Sequence, residues 1–338
     1  MSARRWWIVI LSFAATLGIS GWIVWSGWAR EGAPPLLPWW AHLAALGVVG
    51  VEILARSLKL TLSARAVGMR LPLGTAARVI LGGDFAGGIT PSRSGAEPAR
   101  YLIMAEAGWP AAAIILVLFI ELFLELVSLI IACVLLTLLF REAGGMIGLL
   151  MGVIGAWAVL VGGAGVGGWF LAQHHSRGKP PALARKLGFN AGAWRRVQRA
   201  LKALRRSMGQ LRQAKLSTLA AATLASLVHI FARTFVLVAL VAGLQPGTPI
   251  APLVVWSLVL MFGSSIAPAP AGGGAVEFSF KLAFASVLTA SVLGGALLWW
   301  RFYTFYLYLL LGALAAGSTV LRALREKPDE VIAEAPTP

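Results

Sequence analysis

The chain has 338 residues, 59% hydrophobic and 12% charged, with a net charge of +16 and a mean hydropathy of +0.82. So little charge cannot cover the surface of a soluble domain of this length, so a water-soluble globular protein is excluded. The basic excess does not point to nucleic acid either: it is concentrated in one block beside apolar runs, without the several stacking aromatics of a single-strand groove. Apolar runs able to cross ~30 Å of hydrocarbon recur along the length, and the short alternating segments of a β-barrel are missing. The fold class expected is therefore an all-α polytopic membrane protein. The single cysteine, Cys133, allows no disulfide within the chain. The histidines 42, 174, 175 and 229 show no metal-ligand spacing, and no metal or cofactor is expected.

In chain order, Arg4 and Arg5 precede an apolar stretch over 6–28 that ends in Trp22, Trp25 and Trp28, an interfacial belt. That stretch is too long for a cleaved leader and reads as a retained first span. Further full spans are expected over 39–60, 111–140, 146–171, 216–242 and 292–321, six in all. Between Gln173 and Lys215 lie twelve Lys/Arg and no acidic residue. Within that loop Trp194, Val197, Leu201, Leu204, Met208 and Leu211 recur at helical spacing, which reads as an amphipathic helix on an anionic leaflet; coiled-coil pairing is the alternative. Lys59, Arg65, Arg70 and Arg78 join the loop and both termini on the cytoplasmic side of a plasma membrane. Residues 1–325 form one membrane domain on this reading, with 173–215 as its basic loop and 326–338 as a disordered tail.

Two regions do not read as ordinary spans. Residues 75–89 contain Arg78, Asp84 and four glycines, and Pro91 and Gly95 then interrupt the chain before an amphipathic segment that ends at Gly108. Residues 251–266 are an apolar half-length helix, broken by Pro268, Pro270, Gly272 and Gly274 and resumed to Ala290. Non-helical backbone at membrane depth is tolerated only inside protein or against water. The expectation is two re-entrant hairpins, over 71–108 from the cytoplasm and over 249–290 from outside. The matching punctuation Pro91-x-x-x-Gly95-x-Glu97 and Pro270-x-x-x-Gly274-x-x-Glu277 suggests an inverted repeat. Chance coincidence and four full spans are the alternatives.

Ionisable groups inside a bilayer cost ~2.5–3.5 kcal/mol each on insertion scales and so face a cavity or a partner. Those to place are Glu52, Arg56, Asp84, Arg93, Glu97, Arg100, Glu121, Glu125, His229, Arg233, Glu277, Lys281 and Arg301. Arg93, Glu97 and Arg100, at spacings of four and three, would share one helical face. Arginine's planar fork suits a phosphate, and a helix N-terminus just after Pro91 would add N–H groups; a solvated cytoplasmic helix is the alternative. Glu121 and Glu125 would form a proton or cation site or a receptor for a cationic headgroup. Alternatively, each pairs with an arginine such as Arg233 and ties helices together. The Gly272–Gly274 run before Glu277 reads as a sharp turn and not as a nucleotide loop. With no nucleophile set and no metal motif, no enzyme and no catalytic residue are expected.

"TPSRSGAEPARYL" (Thr90 to Leu102), followed by Gly108, resembles the TPGRAGGEPLRAYL-type motif of the lysylphosphatidylglycerol synthase transmembrane (flippase-like) family. "PAPAGGGAVE" (Pro268 to Glu277) resembles its PTPGGLGAVE motif. "IELFLEL" (Ile120 to Leu126) is similar to its Glu-Arg-x-x-Asp helix. The chain departs from the family at Leu122, where arginine is frequent, at Ala271 for a glycine, and at Gly273 for a larger residue. The resemblance covers most of the chain and implies lipid translocation through a cavity lined by two re-entrant hairpins. It carries over Pro91, Arg93, Gly95, Glu97, Arg100, Pro270, Gly272, Gly274 and Glu277. On this reading Arg93 and Arg100 engage an anionic headgroup, with Arg233 in the same site, while Glu97, Glu121, Glu125 and Glu277 receive cationic parts or couple protons. In bifunctional members a separate soluble domain attaches the amino acid. No such domain is expected after Pro338, so an anionic or aminoacylated phospholipid and an isoprenoid or hopanoid-type lipid all stay open. A headgroup enzyme and a scaffold are the alternative readings. The partners expected are membrane lipids and an anionic leaflet, with a separate lipid-modifying enzyme and a homo-oligomer left open, and no nucleic acid.

Overall fold

The computed structural model describes residues 3–32, 36–140, 214–263 and 274–325, with scattered positions between 145 and 163 and Trp194. These residues form helices and no strand. In chain order they are α1 (Ala3–Glu31), α2 (Trp39–Ala66), α3 (Leu73–Gly88), α4 (Ala96–Glu106), α5 (Ala111–Leu139), α6 (Leu216–Leu244), α7 (Ile250–Gly263), α8 (Ala275–Phe284), α9 (Ala290–Arg301) and α10 (Leu307–Arg325). A π-helical turn, Phe302–Tyr306, joins the last two.

The punctuation is local chemistry. Pro38, Pro72 and Pro110 stand in extended conformation immediately before α2, α3 and α5, where a missing N–H costs nothing. Gly68 and Gly108 close α2 and α4 at φ of 77° and 81°. That left-handed turn lets the next amides cap the last carbonyls, as in the bonds from Gly108 to Ala105 and from Trp109 to Met104.

Three of the helical stretches described, Ala111–Leu139, Leu216–Leu244 and Ala290–Thr319, are long and apolar enough to cross a membrane. The expected spans over 6–28, 39–60, 111–140 and 216–242 each fall on a single helix, and 292–321 falls on α9, the π turn and α10. Half of the span over 146–171 lies outside the described residues. So do Pro268, Pro270 and Gly272, and the amphipathic segment of the basic loop apart from Trp194, which is buried. Both broken regions hold two helices: α3 and α4 fold back on each other, with Gly83 against Arg100 and Gly87 against Ala96, and α7 and α8 flank residues outside those described. The first departs from expectation in one respect: α4 begins at Ala96 and not just after Pro91, because Pro91–Arg93 forms a separate 3-10 turn.

The polarity of the bundle is inside out. Phe119, Phe123, Val134 and Leu138 of α5 point outward, while Glu52 (0% exposed) and Lys59 (1%) of α2 are enclosed. Along α2, Ala45 and Val49 belong to one apolar cluster with α6, α8 and α9. Leu60 and Ala64 belong to another with α3, α4 and α5. The charged stretch of α2 lies between these two apolar zones, and α6, its main packing partner, runs beside it.

Small residues let the helices close on this centre. A Cβ on Gly312 of α10 would lie 2.2 Å from the Leu81 carbonyl oxygen and 2.8 Å from the Phe85 Cβ of α3. Gly312→Ala should therefore force α10 off α3 and lower stability by about 1–3 kcal/mol, read as a lower midpoint of thermal unfolding in detergent. An unchanged midpoint would show that the two helices do not depend on this approach.

Candidate functional site

Between the two apolar zones lies a cavity of about 380 Å³. It is walled by the charged faces of α2, α5 and α6, by the α3–α4 hairpin, and by α7, α8 and α9. Glu52, Arg56 and Lys59 line it from α2, because their spacings of four and three set them on one helical face. His229 and Arg233 line it from α6, and Glu121 and Glu125 from α5, each pair four apart.

The first hairpin closes one side. Ser92 and Arg93 both take left-handed backbone, with φ of 51° and 54°, at a cost of order 1–3 kcal/mol each for residues other than glycine. The reversal brings Arg93 Nη2 to 2.9 Å from Asp84 Oδ1 on α3. Arg56 holds the same carboxylate with both ends of its fork, at 2.5 and 3.2 Å. On α4, Arg100 donates to Glu97 at 3.1 Å and to Glu121 of α5. Its stem needs Gly83 behind it, since a Cβ there would come within 2.6 Å of the Arg100 Cγ.

The carboxylates of α5 receive a second cation. Lys59 Nζ lies 2.8 Å from Glu125 and 3.6 Å from Glu121, and His229 Nε2 approaches Glu125 at 3.9 Å. Across the cavity, Arg233 donates to Glu52 at 2.7 Å and to the Thr304 carbonyl at 2.8 Å. Thr304 sits in the π turn, whose widened backbone turns a carbonyl toward the side chain. Tyr308 donates its hydroxyl proton to Glu52 at 2.6 Å.

The cavity gathers six of the seven substrate residues expected from sequence, namely Arg93, Glu97, Arg100, Glu121, Glu125 and Arg233. Glu277 stands behind the wall, fully buried, and accepts from Arg301 Nε at 2.5 Å; it is Arg301 that lines the cavity. Gly274 caps α8 with φ 85°.

Three expectations are corrected. Arg93 does not share a helical face with Glu97 and Arg100, because it belongs to the 3-10 turn and reaches back to α3. Of the alternative that Glu121 and Glu125 each pair with an arginine such as Arg233, Glu121 meets Arg100, Glu125 meets Lys59, and Arg233 itself ties Glu52. Lys59 is no cytoplasmic flank, for its ammonium group lies between carboxylates in the bundle. The spacing Glu52-x-x-x-Arg56-x-x-Lys59 was a readable signal for all three α2 residues. Asp84 carried none beyond being an acid in an apolar helix. Among the described residues no three His, Cys, Asp or Glu side chains converge on a metal position.

Removing one member of a buried ion pair strands the other, at about 3–5 kcal/mol. Lys59→Met should cost about that much stability, and Lys59→Met combined with Glu125→Gln should recover part of it. The double-mutant cycle by thermal unfolding checks this coupling, and strictly additive losses would contradict it.

Comparison with known proteins bears on what such a cavity is for. No curated protein gives a significant match to the chain. The family described as "Lysylphosphatidylglycerol synthase TM region" matches residues 2–312. With its apolar helices, this makes the chain a multi-pass, lipid-related membrane protein, and it belongs to the lysylphosphatidylglycerol synthase transmembrane-region family.

Proposed function

We propose that this protein moves an amphiphilic lipid between the leaflets of a bilayer, with the headgroup in the charged cavity and the acyl chains in hydrocarbon. One observation carries the proposal: a cavity of about 380 Å³ lined by ion-paired side chains, at the centre of a bundle whose outside is apolar. A headgroup leaving water loses its hydration, and fixed charges in the cavity replace it. The side chains of Arg93 and Glu97 keep 34% and 45% of their surface exposed. They are therefore placed to trade an internal partner for a ligand, whereas Glu52 and Lys59 are fully enclosed and hold the frame.

The two hairpins act on this reading as re-entrant arms of an inverted repeat, the architecture of many alternating-access transporters. Both halves run long helix, two shorter helices, long helix. Arg56 and Arg233 each follow the first residue of their helix, Trp39 and Leu216, by seventeen positions. Glu97 and Glu277 each stand in the first turn of the second shorter helix. Rocking of one half against the other would expose the cavity alternately, with both termini and the basic loop on the cytoplasmic side of the plasma membrane. No residue is assigned a catalytic role.

The test uses purified protein in vesicles carrying acyl-labelled lipids, with label in the outer leaflet quenched chemically. Protein-bearing vesicles should lose inner-leaflet label faster than empty ones, and Arg93→Ala should slow that loss about tenfold, the scale of one charge-assisted hydrogen bond. If no anionic, zwitterionic, aminoacylated or isoprenoid lipid moved, under a pH gradient of either direction, the proposal would fail.

A further inference from the structure

The ion pairs lining the cavity fall into two connected groups. One holds Glu52, Arg56, Asp84, Arg93 and Arg233, linked through Arg56 to Glu52 and Asp84, through Arg93 to Asp84, and through Arg233 to Glu52. Three guanidinium groups against two carboxylates leave this group at a formal +1. The other holds Lys59, Glu97, Arg100, Glu121 and Glu125, with His229 beside Glu125. Lys59 and Arg100 against Glu97, Glu121 and Glu125 leave the Lys/Arg and carboxylate members of this group at a formal −1. Among the described residues no ion pair joins the two groups, and both open on the same cavity. The remaining lining cation, Arg301, lies against Glu277.

We infer that the cavity selects a net-neutral, zwitterionic headgroup carrying one phosphate and one primary amine; the inference rests on reading the cavity as a headgroup site. The phosphate goes to the group of surplus positive charge, where Arg93 is the most exposed guanidinium and its planar fork suits phosphate oxygens. The ammonium goes to the group of surplus negative charge, where Glu97 is the most exposed carboxylate. Glu97 spends only Oε1 on Arg100, and its Oε2 is buried without a hydrogen-bond partner. A primary ammonium supplies the N–H donors such an oxygen needs, and a quaternary ammonium has none. With the headgroup in place, each group comes to zero charge. An anionic headgroup leaves the acidic group uncompensated, and a headgroup with a second amine brings a surplus cation into a medium where unbalanced charge is expensive.

Binding is measured apart from movement, by native mass spectrometry of the full chain in nanodiscs that hold phosphatidylethanolamine, phosphatidylglycerol and lysyl-phosphatidylglycerol in equal amounts. The wild type should retain phosphatidylethanolamine about tenfold over either of the others. Glu97→Gln lifts the acidic group to zero and should turn the preference toward phosphatidylglycerol. Arg93→Gln takes the two groups together to −1 and should turn the preference toward the lysyl lipid, whose net charge is +1. Equal retention of the three lipids by the wild type overturns the inference, as does an equal fall for all three in either variant, which is what a merely structural role would give. Soluble glycerophosphoethanolamine is added as competitor; displacement of the lipid at comparable concentration would assign the site to a free phosphoamine and overturn the lipid source. Selective retention without movement in the vesicle assay would sink the transport proposal and leave this inference standing. Movement without selectivity would do the reverse.

Discussion

The structure depends on charge matching at the centre of a bundle whose described helices turn many large apolar side chains outward. Six cations and five carboxylates line one cavity, and a sixth carboxylate, Glu277, backs it. Each of these groups would be prohibitive alone in hydrocarbon or in a dry core. They are held in place because partners arrive from different helices: Asp84 of α3 meets Arg56 of α2 and Arg93 of the turn, and Glu121 of α5 meets Lys59 of α2 and Arg100 of α4. Such a network is cooperative, since beside the pairs within α2 and α4 every charge but Glu97 also leans on a partner from another element, and withdrawing one helix leaves several groups short of partners.

This matching accounts for features that look odd when taken separately. The left-handed backbone at Ser92 and Arg93 is a local cost that buys an ion pair between the turn and α3. The π turn at Phe302–Tyr306 breaks regular helix where Arg233 needs a carbonyl acceptor, and it lies one turn before Tyr308, which donates to the same carboxylate as Arg233. Gly83 is bare where the stem of Arg100 crosses α3. The irregular backbone at Ser92, Arg93 and Thr304, and the bare Gly83, all line the cavity.

Matching also explains why some groups read as functional and others as framework. Lys59, Glu52 and Glu277 are enclosed, and their partners are fixed by packing. Arg93, Glu97 and Glu125 retain exposed surface on the cavity side and can exchange partners without a helix having to move. The division of surplus charge between a basic group and an acidic group follows from which helix each partner comes from, so it is a property of the assembled bundle.

Much of this was legible in the amino-acid sequence. Hydropathy and length marked the long helices, because crossing hydrocarbon demands an unbroken apolar run. Proline and glycine marked the break between α3 and α4, because proline lacks the N–H of a helix interior and glycine gives up the most backbone freedom there. The cost of intramembrane charge picked out Arg93, Glu97, Arg100, Glu121, Glu125 and Arg233 as cavity residues. The partners were decided only by tertiary structure. Spacing along a helix states which side chains share a face, and it is silent on which face of another helix they meet. Arg233 was thus free to be matched with the α5 carboxylates until packing of α6 on α2 gave it Glu52. Lys59 shows the same limit from the other side. Its charge at the end of an apolar run reads as a boundary signal, yet seven further residues of helix carry α2 past it, and the cations and carboxylates around it exist as neighbours only once α2, α4 and α5 are packed together.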